Sequence, residues 1–127
     1  MQRTDSYRDL IAWQKAMALA RAVCAVSASW PAEERFGLTS QVRRAAVSVP
    51  ANIAEGSGRS GSQEFRHGIS LAHGSLCELE TQLLIGIDLG ICEPIEGDQV
   101  LAQAAEVGRI IRGLIRKLDG RNRGEPE

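Results

Sequence analysis

Four groups of residues in this chain could do chemistry. Glu55 and Glu78 sit among polar neighbours, and two carboxylates can share the work of general acid and general base in a hydrolysis. Such a pair also needs a nucleophile, a base or a metal beside it, and no such set accompanies either glutamate. The run Gly56-Ser57-Gly58-Arg59-Ser60-Gly61 fits the GxGxxG pattern of dinucleotide sites. That pattern needs a strand in front of it and a helix N-terminus behind it to receive the pyrophosphate. Here helical periodicity precedes it, so the glycines are read as an interhelical turn. Glu64 and His67 have the Glu-x-x-His spacing of di-iron bundles, without the required second copy. Cys24, Cys77 and Cys92 lack CxxC or Cys/His metal spacing. No metal and no cofactor is expected. Arg109, Arg112 and Arg116 form a stripe that could contact phosphates, with Arg121 and Arg123 extending the charge beyond it.

The elements that must position these residues follow from periodicity. The chain has 127 residues, 4% of them aromatic, and its apolar residues recur at spacings of three and four rather than alternating. This predicts a single all-α domain over residues 1–127, an antiparallel up-and-down four-helix bundle with helices at about 8–29, 38–58, 62–90 and 97–118 and a polar tail over 119–127. In the second helix Leu38, Val42, Ala45, Val49 and Ile53 form the core seam, in phase across Pro50. One kinked helix is therefore expected, capped at Thr39 or Ser40. Ser60 or Ser62 is expected to start the third helix, whose seam is Phe65, Ile69, Ala72, Leu76, Leu79 and Leu83. Val100, Ala104, Val107, Ile111, Leu114 and Leu118 repeat the device in the fourth.

The first helix carries two apolar seams about 120° apart. One is Leu10, Trp13, Met17, Ala20 and Cys24; the other includes Leu19, Val23, Val26 and Trp30. An arc this wide exceeds what one core requires, and Leu19, Val23, Val26 and Trp30 are the candidate oligomer interface. The alternative is deep burial within one chain. Polar rows flank the seams of helices two and three. Arg44, Asn52, Glu55, Glu78 and Gln82 are expected to form a structural network there, Arg44 meeting Glu78 and Asn52 meeting Gln82, that fixes register more than it adds stability.

Net charge is −1, so the molecule as a whole has no pull towards nucleic acid or anionic membranes. The charge is nevertheless uneven. Glu78 to Glu106 holds seven acids and no Lys or Arg, whereas Arg109 to Arg123 holds six bases and one acid. The longest apolar run, Leu83 to Cys92, is interrupted by Asp88 and too short for a membrane span. The start of the chain has no signal-like apolar region, and the odd cysteines fit a reducing compartment. A cytoplasmic protein without membrane contact is expected.

Leu10 with Trp13 and Ala16, Gly37-Leu38-Thr39, Gln41 with Arg43-Arg44-Ala45, Ser48-Val49-Pro50, Asn52-Ile53-Ala54-Glu55-Gly56, Gly74-Ser75 and Glu78-Leu79-Glu80 with Gln82-Leu83 form a further pattern. On these residues the chain resembles the small bacterial four-helix-bundle proteins first found encoded in intervening sequences of large-subunit ribosomal RNA genes. The resemblance is dense over residues 7–90 and rests on pattern alone in the fourth helix. It implies a bundle assembling as a ring, typically a homopentamer, with no established enzymatic activity. Relatives serve as accessory proteins to the reverse transcriptases of diversity-generating retroelements, where a basic pentamer contacts nucleic acid and the enzyme. The slightly acidic balance of this chain departs from that pattern. Sequence and resemblance together give a non-enzymatic homo-oligomeric scaffold for a nucleoprotein or a reverse-transcriptase-like protein, with no small-molecule substrate. The alternative is direct nucleic-acid binding through Arg109, Arg112 and Arg116.

Overall fold

The computed structural model describes residues 6–122. Four α-helices run in succession: α1 (Ile11–Ser27), α2 (Leu38–Ser57), α3 (Ser62–Asp88) and α4 (Pro94–Asn122). Short 3₁₀ turns precede α1 at Tyr7–Asp9 and α2 at Ala32–Glu34, and no strand occurs among the described residues. Each helix packs on the next, and α1 closes the bundle on α4; among the described residues the diagonal pairs bring no Cα atoms within 8 Å of each other. This is the antiparallel bundle that short connections between amphipathic helices favour.

The predicted seams of α2, α3 and α4 line the core. Val42, Val49, Ile53, Ile69, Leu76, Leu79, Leu83, Val107, Ile111 and Leu118 are fully buried, and Leu38, Phe65 and Leu114 pack against them. α2 continues unbroken through Pro50, which has no amide to donate to the carbonyl of residue 46.

The helix ends differ from expectation, and local hydrogen bonds give the reasons. Thr39 and Ser40 do not cap α2. Gly37 holds the N-cap position, and the Glu34 carboxylate reaches forward to accept from the Leu38 amide at 3.3 Å. Thr39 is instead buried. α1 is shorter than expected at both ends. At its C-terminal end Arg43 of α2 donates to the Ser27 hydroxyl at 2.8 Å and the Cys24 carbonyl at 3.2 Å, adding a donor to one of the carbonyls of the last turn. α3 starts at Ser62 after Gly61 and closes at Gly90, whose φ of +75° suits glycine alone. α4 begins three residues before the expected start because the Glu93 carboxylate accepts from the amides of Ile95 and Glu96 at 3.2 and 2.9 Å, with Pro94 preset for a first turn. It also runs on to Asn122, so residues 119–122 of the expected tail are helical; residues 123–127 lie outside the described part.

Candidate functional site

Antiparallel packing fixes which residues of α2 and α3 meet. Gly56 and Gly68 touch backbone to backbone: a Cβ on Gly68 would stand 2.7 Å from the Gly56 Cα and 2.8 Å from the Asn52 carbonyl. Further along, the Ser48 and Ser75 hydroxyls form a short hydrogen bond. In this register facing residue numbers sum to about 123, so Arg44 lies opposite the Glu78–Leu79 step and Gln41 opposite Gln82. Beyond the serines lies a groove of about 320 Å³ lined by Gln41, Arg44, Ala45, Ser48, Glu78 and Gln82.

The polar groups of this groove are incompletely satisfied. Gln82 is 8% exposed, and its Nε2 donates to Glu78 Oε2 at 3.5 Å, the outer limit of a hydrogen bond. Its Oε1 is buried with no partner, an arrangement that costs about 1–3 kcal/mol. Turning the amide over would aim that oxygen at a carboxylate and strand the NH₂ group, so in the free chain this orientation is the better of the two. Arg44 and Glu78 share the groove, yet no ion pair joins them among the described residues.

Two parts of the expected network are therefore corrected. Asn52 does not meet Gln82; it donates to the Ser48 carbonyl at 2.9 Å and the Ser48 hydroxyl at 3.2 Å. Glu55 does not approach Glu78. Its register partner lies near Gly68, ten residues from Glu78, or roughly 15 Å along α3. The Glu55 carboxylate lies 3.7 Å from Arg59, in an exposed pair one turn apart. The carboxylates therefore share no groove. Arg44 facing Glu78 is the register the pattern predicted, without the ion pair.

The interface candidates on α1 are also corrected. Leu19, Val23 and Trp30 are buried in the chain's own core and offer no surface to another copy, while Val26 is partly buried and packs against that core. The wide apolar arc has a different outward part. Met17, Ala20, Arg21 and Cys24 join Val47 and Pro50 of α2 around a hollow of about 380 Å³. Val47 is half exposed there. Its position outside the α2 seam was a readable signal.

Arg109, Arg112 and Arg116 are all exposed on α4, and none is in an ion pair among the described residues. Arg112 lays its guanidinium over Gly108. Arg121 belongs to the last turn of α4, and Arg123 lies outside the described residues. The Gly56–Gly61 run follows a helix, and its first glycine is consumed by the contact with Gly68, so it is an interhelical turn. No three His, Cys, Asp or Glu residues cluster as metal ligands among the described residues, and no described helix is long and apolar enough to cross a membrane.

This bundle is of the kind the motifs on α2 and α3 imply. The model of the 23S rRNA-intervening sequence protein family matches residues 8–113, and the chain belongs to that family. No curated protein matches it.

Proposed function

We propose that this protein is a non-enzymatic, cytoplasmic scaffold that assembles as a homo-oligomeric ring and serves a nucleoprotein or reverse-transcriptase-like partner. The reading rests on two unlike apolar surfaces. One is the hollow around Met17, Val47 and Pro50; the other is the end of α3 with the start of α4, where Leu89 and Ile95 are 68% and 67% exposed. Two unlike apolar surfaces on one chain are what a heterologous contact needs, and such contacts give rings where the rotation between subunits closes. Exposed apolar patches of this sort also carry a solubility cost that burial between subunits relieves. The pentameric count comes from family resemblance.

Light scattering of the full chain at micromolar concentration tests this. A ring is expected for the wild type and monomers for Val47→Glu and for Leu89→Glu with Ile95→Glu. Mixing the two variants leaves one intact contact per pair, so dimers should form. A monomeric wild type overturns the reading.

Nucleic-acid binding is a second reading, favoured by the exposure of Arg109, Arg112 and Arg116 without ion-pair partners. A ring would repeat the stripe and multiply its phosphate contacts. Labelled RNA and DNA titrated at several salt concentrations should show affinity falling steeply with salt. Absence of binding at low salt removes this reading.

A further inference from the structure

The groove between α2 and α3 is built from opposed, unspent hydrogen-bonding groups. Its α3 wall carries the Glu78 carboxylate and, one turn on, Gln82, whose carbonyl oxygen is buried behind the groove without a partner. Its α2 wall presents two donors, the Arg44 guanidinium and the Gln41 amide. All four line one space of about 320 Å³. Arg44 and Glu78 are not paired with each other among the described residues. Gln82 keeps an oxygen that nothing satisfies.

We infer that this groove binds a small zwitterion of the α-amino acid class, its ammonium held by Glu78 and the Gln82 carbonyl and its carboxylate by Arg44. Opposed charges select the class. A simple anion entering beside Arg44 also meets Glu78, and a simple cation beside Glu78 also meets Arg44; a molecule bearing both charges in one frame satisfies both walls. The Gln82 carbonyl reaches the ligand by rotation of its amide. The one hydrogen bond that amide makes is stretched to 3.5 Å, and the terminal torsion of glutamine is broad and soft. Ser48 is held by Ser75 and forms the fixed end of the space.

The inference concerns a surface separate from both apolar patches, so it stands or falls independently of oligomerisation. The test is calorimetric titration of the full chain with individual free L-amino acids, with ammonium chloride and sodium acetate as single-charge probes. At least one amino acid should bind saturably in the millimolar range or tighter, and neither single-charge probe should. Arg44→Gln and Glu78→Gln should each weaken that binding about tenfold or more, a change of about 1.4 kcal/mol or greater. Gln82→Leu should abolish it while holding or raising the melting temperature of the free protein, because it removes a buried unsatisfied carbonyl; a purely structural glutamine would lower that temperature instead. The inference is overturned if no amino acid binds the wild type at millimolar concentration. It is equally overturned if Arg44→Gln with Glu78→Gln binds as the wild type does, or if Gln82→Leu melts lower with binding intact.

Discussion

The α2–α3 and α1–α4 seams of this bundle are held by opposite means. α2 and α3 meet through residue-specific contacts: Gly56 on Gly68 with no room for a methyl, Ser48 bonded to Ser75, and a buried glutamine between them. α1 and α4 share the least extensive of the four helix-pair contacts, bridged by Lys15 and Glu106 at 3.4 Å with both side chains nearly half exposed. The first seam depends on which residues stand where. The second needs only apolar side chains on the facing sides, which many sequences satisfy. The family resemblance, dense over residues 7–90, reduces to a periodic pattern on α4, which supplies one side of the looser seam.

The sharpest way to break this contrast is to place a side chain at the glycine contact. In Gly68→Val the new Cβ would meet the Gly56 Cα at 2.7 Å and the Asn52 carbonyl at 2.8 Å. Both are backbone atoms, so the helices themselves must separate. A loss of about 3 kcal/mol or more in urea unfolding is expected. The control lies on the same helix. Nothing stands within 4 Å of a Cβ on Gly74, so Gly74→Ala should add up to about 1 kcal/mol. Equal effects of the two substitutions would show that α2 and α3 do not need their close approach.

The four helices and three of their core seams were legible because periodicity reports directly on a helix face, as Ile69, Leu76 and Leu83 illustrate. Their ends were less so. Capping came from Glu34 and Glu93, reaching forward from just before their helices, and from Arg43, reaching across from another helix, whereas the local pattern favoured Thr39 or Ser40 for α2. On α1 both seams were visible, but their assignment was reversed. Small residues such as Ala12 and Ala16 flank Leu19 and Val23 and bring α1 close to its neighbours, so this seam became the core. Met17 and Cys24 were left outside. Of the expected polar network Arg44, Glu78 and Gln82 line one groove, whereas Asn52 and Glu55 do not, and Asn52 with Gln82 violates the antiparallel sum that Arg44 with Glu78 obeys.

The turn between α3 and α4 belongs with the tightly specified seam, and its thiol reports on that. Cys92 is buried, and burial raises its pKa, with Glu96, Glu93 and Asp98 adding to the rise. Cys24 and Cys77 are exposed. A thiol reagent should therefore label those two first and reach Cys92 slower by orders of magnitude, at the rate of local opening. The folded thiol titrates above the unfolded one. Stability should consequently fall as pH climbs past about 8.5, where the unfolded chain loses its proton first. Replacing Cys92 with alanine should remove that alkaline slope, and its persistence would assign the slope to another group.

The ion pairs give smaller effects, in an order set by their geometry and exposure. Arg66 of α3 donates to Asp119 of α4 through Nε at 2.9 Å and Nη2 at 3.4 Å, a two-pronged contact about one-third exposed. Asp119→Asn should cost at most about 1 kcal/mol, more at low salt than at high. Lys15→Ala should cost less still. The amine meets one carboxylate oxygen, both partners face solvent, and holding two long side chains in one geometry consumes rotamer freedom that offsets the attraction. A change under about 0.5 kcal/mol, erased by salt, is expected from urea unfolding. A loss comparable to that of Gly68→Val would mean that the α1–α4 seam is as residue-specific as α2–α3, and the contrast between them would fail at its weaker side.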